Sequence, residues 1–261
     1  MCARRAAIQF LTKTGQICTD LRQEYILLSD IFGLSALVDS LNHPKPQNAT
    51  EATVLGPFFV EDSADVPNGE SIASEGKGEY LYVHGKVTDT SGKPVPNAII
   101  ETWETDQEGF YDTQYSDRTE ADCRGRLRTD EQGNYSFRGV KPVPYPIPND
   151  GPVGQLLRKL GRHVFRPAHI HFMIMHPEYE KLITALYPEG DPYISSDAVF
   201  GVKSSLQYKY GEITDEAECK RLGFLSGPVA TVEWDFVLCT EEEGEQQRRK
   251  TLKGFYESSE Q

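Results

Sequence analysis

The chain starts with a helical pattern and changes to a strand pattern farther along. In residues 3–42, apolar side chains recur at three- and four-residue steps, which is typical of amphipathic helices. Gly33 separates a second short helix, Leu34–Leu41, from the first. Residues 43–79 are rich in proline, glycine and serine and have no sustained period. Within them the apolar run Val54–Phe59, with Gly-Pro at its centre, predicts a loop that packs onto a surface or closes a cleft.

Beyond this segment, apolar and polar positions alternate between short turn signals, which is typical of β-strands. The pattern predicts strands within residues 81–105 and at 126–129, 134–139, 168–175, 199–202 and 231–238, with a hairpin turn at 130–133. Many short strands separated by turns predict a mainly β fold, an antiparallel β-sandwich with an N-terminal helical segment. The expected organisation is a helical segment (1–50), a β-sandwich domain (51–245) and a charged tail (246–261), which is either a surface helix or partly disordered.

The composition excludes several classes of protein. Hydrophobic residues make up 38% and charged residues 26% of the 261 positions, as in globular proteins. No apolar run approaches the roughly 18 residues that a membrane-spanning helix needs. The net charge of −13 argues against a nucleic-acid partner. The first residues, MCARRAAIQFL, lead into mixed polar sequence, so no signal peptide is predicted.

The cysteines indicate a reducing compartment. There are five, an odd number, and they are scattered without a Cys-x-x-Cys pair. This usage predicts free thiols in a cytoplasmic protein, not a disulfide scaffold or a zinc–thiolate site. Any metal ligands should therefore be nitrogen and oxygen atoms.

The stretch Gly161–Met175, GRHVFRPAHIHFMIM, contains the most informative pair of residues. In a strand, His169 and His171 would project from the same face, and the apolar residues around them predict a strand buried on both sides. Each ring carries polar nitrogens that need partners. The pattern alone leaves two interpretations open, a metal site and a hydrogen-bonded pair of core histidines.

Two tyrosines lie in segments that are suited to carrying ligands. Tyr111 stands in GFYD, just after a predicted strand, and Tyr145 is held among four prolines in Pro142–Pro148. Prolines fix φ and remove backbone donors, so the second segment should be stiff and extended. A lone tyrosine in such a loop is equally consistent with an ordinary packed aromatic residue.

In this order, the motifs of Tyr111, Tyr145 and GRH-x-x-RPAHIHF resemble the intradiol ring-cleavage dioxygenases, over about residues 20–206. The resemblance implies a mononuclear non-haem Fe(III) held by Tyr111, Tyr145, His169 and His171, with an ortho-diphenol and O2 as substrates. Phenolate is a hard oxygen donor that favours Fe(III), and imidazole is a suitable companion ligand. The resemblance also implies that Tyr145 acts as a base for the incoming hydroxyl groups.

The resemblance also implies a pocket and a charge-stabilising arginine. The pocket wall is similar to that of family members that cleave hydroxyquinol (1,2,4-trihydroxybenzene), and consists of Leu27, Asp30, Val54, Leu55, Gly56, Pro57, Pro146, Ile147 and Val199. Arg166 would lie over the ring and stabilise negative charge on it, although the residues alone favour a salt bridge to a carboxylate.

Asp30 is the position that distinguishes substrates. Local pattern alone favours a helix-end aspartate. In the pocket, it would accept a hydrogen bond from the third ring hydroxyl, and an unpaired buried acceptor costs about 1–3 kcal/mol. We therefore expect hydroxyquinol as substrate and 3-hydroxy-cis,cis-muconate as product, with catechol as the alternative. Protocatechuate is less consistent with the motifs, because no extra basic residue awaits a ring carboxylate.

Two features depart from the family pattern. Some members carry a glutamine where this chain has Ala185, and Tyr187 is a candidate substitute for it. Members of this type usually carry more helix before the segment at residues 4–30, and these helices form the dimer interface, in several members around a bound lipid. We expect a homodimer through the N-terminal helices. Because the sequence begins partway through that helical region, we also expect a truncated gene model.

Two rival interpretations belong to other classes. One is a non-catalytic β-sandwich binding protein with the histidines in its core. The other is a His-x-His zinc or cupin-type enzyme, which requires a glutamate four or five residues beyond the second histidine, where this chain has Met175 and His176.

Overall fold

The computed structural model of the protein describes residues 3–19, 22–61, 63–117 and 120–259. The helices are α1 (Ala3–Gln16), α2 (Glu24–Ile31), α3 (Leu34–Asn42), α4 (Pro152–Lys159), α5 (Glu216–Arg221) and α6 (Glu241–Ser259). The strands are β1 (Tyr80–Asp89), β2 (Ile99–Trp103), β3 (Arg124–Arg128), β4 (Asn134–Val140), β5 (Tyr145–Pro146), β6 (Phe165–Arg166), β7 (Ile170–His176), β8 (Tyr179–Pro188), β9 (Gln207–Tyr208), β10 (Gly211–Ile213), β11 (Val229–Glu233) and β12 (Phe236–Leu238). The predicted N-terminal helical segment is confirmed, whereas α4 and α5 were not predicted.

The N-terminal helical segment is divided at two places. Gly33 lies between α2 and α3 with φ at +72°, a left-handed conformation that glycine adopts readily. The break between α1 and α2 was not predicted. There, the Thr19 amide donates to the Arg22 carbonyl at 2.9 Å, and the Arg22 amide donates to the Thr19 hydroxyl at 3.0 Å. A side-chain oxygen that competes for a backbone amide in this way favours a turn over a continuous helix.

Two five-stranded sheets form the body of the fold. In one, β1 is central, with β4 on one side and β11 and β12 on the other, and β10 extends the sheet beyond β11. The other sheet has the order β3-β2-β7-β8-β9, and β5 and β6 form a separate two-stranded pair. Phe172 of β7 packs between Phe137 of β4 and Phe236 of β12, with ring centroids 6.2 and 4.8 Å apart. The two sheets therefore face each other, and the β-sandwich is confirmed.

Most strand pairings of the sandwich are antiparallel, but three are parallel. β1 pairs in parallel with both β11 and β12, and β8 pairs in parallel with β9. Parallel neighbours need long connections. Here β11 returns to β1 from far along the chain, so local turn signals gave no indication of its direction.

The predicted strand at 231–238 is two strands. The backbone turns at Trp234 and Asp235, where the Asp235 carboxylate accepts the Lys86 amide at 2.8 Å. The Trp234 carbonyl oxygen would lie 1.7 Å from a Cβ at Gly85, so only glycine permits this approach. This close contact divides the strand, and no periodicity within 231–238 indicates it.

Two other local predictions need correction. Residues 130–133 do form a turn, in which the Gly133 amide donates to the Asp130 carbonyl at 3.0 Å. It is not a hairpin, because β3 and β4 on either side belong to different sheets. Residues 199–202 are not a strand. The amides of Val199 and Gly201 donate to the carboxylate of Asp197, so they bond to a side chain instead of a neighbouring strand.

Residues 246–259 of the charged C-terminal tail are helical. They belong to α6, which begins at Glu241. Among the described residues, no helix has the length and apolar character that crossing a membrane would require.

Candidate active site

β7 carries the two histidines between two apolar layers. Ile170, Phe172 and Ile174 point into the core between the sheets, whereas His171 and Met173 point to the opposite face. All five are at most 4% exposed. The predicted burial of both faces is therefore confirmed, and His169 lies immediately before the strand.

The four predicted ligands come together on this outer face. Nε2 of His169 lies 3.0 Å from Nε2 of His171 and 3.3 Å from the hydroxyl of Tyr111. Tyr145 places its ring edge-on to Tyr111, with centroids 5.5 Å apart, and lies 5.6 Å from the ring of His169. Each of the four side chains is at most 3% exposed. Residues from three separate segments thus converge on one buried point.

The His169 ring has a defined tautomer. Its Nδ1 lies 2.7 Å from the Pro167 carbonyl, which can only accept, so Nδ1 carries the proton. The lone pair of the neutral ring is therefore on Nε2, which faces the cluster. Burial lowers the pKa of His169 and of His171 well below the usual value, and neighbouring Arg166 acts in the same direction. Neutral imidazoles are the form that binds metal ions.

The ring of His171 is fixed by packing. Trp103 stacks on it with ring centroids 4.7 Å apart and an angle of 8°. A Cβ at Gly56, whose φ is +76°, would lie 3.4 Å from Cε1 of this ring. Ala185, which stands where some family members carry a glutamine, pairs with His171 across β7 and β8. Its small side chain therefore lies next to this histidine.

The Val54–Phe59 segment, predicted as a loop that packs onto a surface or closes a cleft, packs against the tyrosines. Phe58 stacks on Tyr111 with centroids 4.4 Å apart, and Leu55 packs against the same cluster. Arg124 donates to both oxygens of Asp112 and, at 3.1 Å, to the Phe58 carbonyl. This arginine thus joins the covering segment to the residue after Tyr111. Burial raises the pKa of Tyr111 well above its usual value, and Tyr145 adds to this rise.

Arg166 forms the salt bridge to a carboxylate that its residue type predicted, and it also lies beside His169. It is 3% exposed, and its Nη1 lies 3.1 Å from Nε2 of His169. Its salt-bridge partner is Asp197, a residue that sequence reasoning missed. Asp197 lies in a turn without any recognisable motif, so only its place beside Arg166 reveals it. The hydroxyl of Tyr187 accepts a further hydrogen bond from Arg166 at 3.3 Å.

The predicted pocket residues occupy three environments. Leu27, Ile147 and Val199 pack in one apolar cluster with Ile31 of α2. Pro57 and Pro146 are exposed, and Val54 is half-buried. Three of the predicted pocket residues therefore share one apolar cluster, whereas the two prolines are exposed.

Asp30, on α2, interacts electrostatically with the charged part of the site. Burial raises the pKa of Asp30, while the Ser35 hydroxyl and the positive charge of Arg166 oppose this rise and the negative charge of Asp197 adds to it. An acidic group on α2 therefore lies within electrostatic range of the arginine beside His169.

The donor atoms suit a metal ion. Two neutral imidazoles and two phenols converge, and Nε2 of His169 and Nε2 of His171 face each other at 3.0 Å. In the part of the chain that the structure describes, no three His, Cys, Asp or Glu side chains form a metal-binding group. A ligand set around the two histidines therefore requires the tyrosine oxygens, which favour hard cations.

Comparison with known proteins identifies the family. Residues 54–240 match the family model described as Dioxygenase, and residues 5–50 match the one described as Catechol dioxygenase N terminus. A hydroxyquinol 1,2-dioxygenase from Rhizobium sp. (strain MTP-10005) is 50% identical over 233 residues, covering 89% of this chain and 79% of the relative. A catechol 1,2-dioxygenase from Candida albicans is 41% identical, covering 80% of this chain and 70% of the relative.

Solved structures of the same family resemble this chain in fold. The hydroxyquinol 1,2-dioxygenase of Pseudomonas putida DLL-E4 superimposes with a TM-score of 0.84 at 46% identity, covering 91% of this chain and 83% of the other. The catechol 1,2-dioxygenase of Acinetobacter radioresistens superimposes with a TM-score of 0.82 at 29% identity, covering 92% and 79%. The chain belongs to the intradiol ring-cleavage dioxygenases, and it is an enzyme of that class. This membership confirms the family prediction and excludes the binding-protein and cupin interpretations.

Proposed function

We propose that this enzyme cleaves hydroxyquinol with O2 between two adjacent hydroxyl-bearing carbons, in the catabolism of aromatic compounds. The product is 3-hydroxy-cis,cis-muconate, the enol form of maleylacetate. Relatives that share about half of their residues with this chain are named hydroxyquinol 1,2-dioxygenases, which supports the substrate class. The observation that carries the choice of substrate is the position of Asp30.

Asp30 supplies an acceptor for the third hydroxyl. It lies on α2 beside Leu27 and Ile31, whose side chains pack with Ile147 and Val199, so the acid stands at the edge of an apolar pocket. Hydroxyquinol can donate to this carboxylate, whereas catechol has no third hydroxyl to offer. Catechol therefore leaves one acceptor site of this partly buried carboxylate unused, which favours hydroxyquinol by roughly tenfold or more.

The proposed cofactor is one non-haem ferric ion per chain, held by Tyr111, Tyr145, His169 and His171. Two phenol oxygens and two neutral imidazoles fit this metal better than zinc, because phenolate is a hard donor that stabilises Fe(III). When bound, the ferric ion would supply Lewis acidity that favours loss of the diphenol protons and reaction of the ring with O2.

The protein groups bind, deprotonate and stabilise the substrate. The phenolate oxygen of Tyr145 accepts a proton from an incoming hydroxyl group. Arg166 is fully buried, so its fixed positive charge stabilises negative charge on the ring more strongly than it would in water. Leu27, Ile147 and Val199 exclude water from one side of the ring.

The Asp30→Ala variant tests the proposed substrate. We expect the ratio of kcat/KM for hydroxyquinol to kcat/KM for catechol to fall roughly tenfold or more, because the acceptor for the third hydroxyl is gone. Asp39→Ala is the matched control, since Asp39 lies on the neighbouring helix α3 and pairs with His43. An unchanged ratio in Asp30→Ala would show that Asp30 does not select the substrate.

The proposal extends to assembly and location. We place the dimer interface in residues 1–50, with a lipid bound between the N-terminal helices, and assign catalysis to residues 51–245. Exposed apolar side chains on α1 and α2, such as Ile8 and Ile26 at 55% each, support such an interface. A cytoplasmic location is supported by Cys18, Cys123, Cys219 and Cys239, which are all free thiols.

A further inference from the structure

Asp197 is a buried carboxylate whose acceptor sites are all used. It is 5% exposed. Its Oδ1 accepts hydrogen bonds from Nε of Arg166 and from the Val199 amide, both at 3.2 Å. Its Oδ2 accepts from Nη2 of Arg166 at 3.3 Å and from the Gly201 amide at 2.8 Å. Since a carboxylate offers about four lone-pair sites, this one side chain both holds the guanidinium and folds the loop that carries Val199.

The salt bridge with Asp197 leaves a single nitrogen of the Arg166 guanidinium group to face the site. Asp197 binds the edge formed by Nε and Nη2, and Nη2 also donates to the Tyr187 hydroxyl. The remaining nitrogen, Nη1, lies 3.1 Å from Nε2 of His169. A side-on, bidentate pair fixes the plane of a guanidinium group. Asp197 therefore determines which nitrogen of Arg166 faces the histidine.

Gly201 also contributes to the position of Arg166, because its lack of a side chain leaves space for the guanidinium group. A Cβ on Gly201 would lie 2.7 Å from Nη2 of Arg166 and 3.1 Å from the Tyr187 hydroxyl oxygen. The backbone of Gly201 cannot easily retreat, because its carbonyl accepts the Thr53 hydroxyl at 2.6 Å. The guanidinium group cannot move aside without losing its bonds to Asp197. The observed position of Arg166 thus requires glycine here.

We propose that Asp197 is a positioning residue for ring cleavage, which together with Gly201 holds Arg166 in the orientation that directs Nη1 towards the bound ring. The catalytic part of this inference rests on the proposed function. Arg166 stabilises charge that develops as the ring reacts, so a misplaced guanidinium lowers kcat more than it weakens diphenol binding.

Two variants disturb the arrangement by different means. Asp197→Asn removes the charge and one acceptor oxygen at nearly constant size, and Gly201→Ala keeps the carboxylate but places a methyl group against Nη2. We expect each to lower the kcat of the iron-loaded enzyme about 10- to 100-fold. We expect the dissociation constant for hydroxyquinol, measured without O2, to change by less than about threefold.

Glu180→Gln is the matched control for loss of a buried ion pair. Glu180 is 7% exposed and binds Lys45 and Arg248 near the opposite end of β8 from Tyr187. This variant should keep the wild-type kcat, even if its melting temperature falls. An equal loss of kcat in Glu180→Gln would overturn the proposal, since it would show that any buried ion pair has the same effect.

Crystal structures separate this inference from the proposed function. In metal-free Asp197→Asn and Gly201→Ala proteins, we expect Nη1 of Arg166 to move away from His169, relative to metal-free wild type. This readout answers the question even if the wild-type enzyme cleaves no diphenol, a result that would refute the proposed function alone. An unmoved Arg166 in both variants, or a wild-type kcat in Asp197→Asn, would overturn the positioning role.

Discussion

Glu104 is a carboxyl group that folding places in the core, where it forms no salt bridge with any residue that the structure describes. It is fully buried just after β2. Its Oε1 accepts the Val140 amide at 2.8 Å, and its Oε2 has no hydrogen-bond partner among the described residues. Burial raises the pKa of Glu104 to about 8, because the charged form is poorly solvated there. The folded protein therefore keeps this group protonated near neutral pH.

The stability of the protein should depend on pH through Glu104. Below pH 4.5, its usual pKa, the group is protonated in both states and has no effect. Between pH 4.5 and about 8 the unfolded state loses this proton and the folded state retains it, so the free energy of unfolding falls as pH rises. We expect Glu104→Gln to be more stable than wild type at pH 8 by on the order of a few kcal/mol.

Chemical denaturation of both proteins at pH 4 and pH 8 measures this difference. The side-chain amide in the Glu104→Gln variant still offers an oxygen to the Val140 amide, so the two proteins should differ little at pH 4. A gap between them that is the same at both pH values would contradict a raised pKa for Glu104.

At the scale of single residues, the sequence predicted the site residues that lie within recognisable motifs. His169, His171 and Arg166 stand in one motif, and Tyr111 and Tyr145 were identified only through their order relative to it. Asp197 was not predicted, because its role depends on the place of Arg166 in space. No spacing along the chain indicates that pair.

At the scale of elements, one of the contacts that hold α6 to the sandwich is made by a buried acid. Glu180 of β8 accepts from Lys45, which follows α3, and from Arg248 of α6, at 3.2 Å each. Arg248 also donates to the Asn42 carbonyl at the end of α3. Three elements that are remote in sequence therefore meet at this ion pair.

Arg248→Ala should loosen α6. We expect a loss of about 1–3 kcal/mol in the free energy of unfolding and faster hydrogen exchange in 241–259. Arg249→Ala is the control, because Arg249 pairs with Glu245 within the same helix and its side chain is 76% exposed. Equal exchange in α6 of both variants would show that the ion pair of Glu180 does not hold the helix.

The elements also show where periodicity fails. The buried strand at 170–176 was predicted well, because its apolar pattern is strong on both faces. The pairing of β11 and β12 with β1 and the division between them were not predicted, since Gly85 and Asp235 act across the sheet. Such contacts join positions that are far apart in the chain, so no local sequence pattern predicts them.

At the scale of the whole molecule, the exposed apolar side chains on and between the three N-terminal helices predict association. Ile8, Leu11, Phe32 and Leu34 are 48–61% exposed, although their residue types usually lie inside proteins. We expect the wild-type protein to elute with the mass of a dimer, and replacement of Ile8 and Leu11 by glutamate to shift it towards the monomer.

Light scattering coupled to size-exclusion chromatography tests this assembly. Leu225→Glu is the control, because Leu225 is 70% exposed but lies between α5 and β11, away from the N-terminal helices. A monomeric wild-type protein, or a dimer that persists in the Ile8→Glu/Leu11→Glu variant, would contradict the proposed interface.

The most direct test of the central claim is the visible absorption spectrum of the purified, iron-loaded protein. Tyrosinate bound to Fe(III) absorbs visible light, so a centre that includes Tyr111 and Tyr145 predicts a reddish protein. The band should shift when hydroxyquinol is added without O2. A protein that remains colourless after loading with ferric iron would contradict the assignment of these tyrosines and histidines as an iron site.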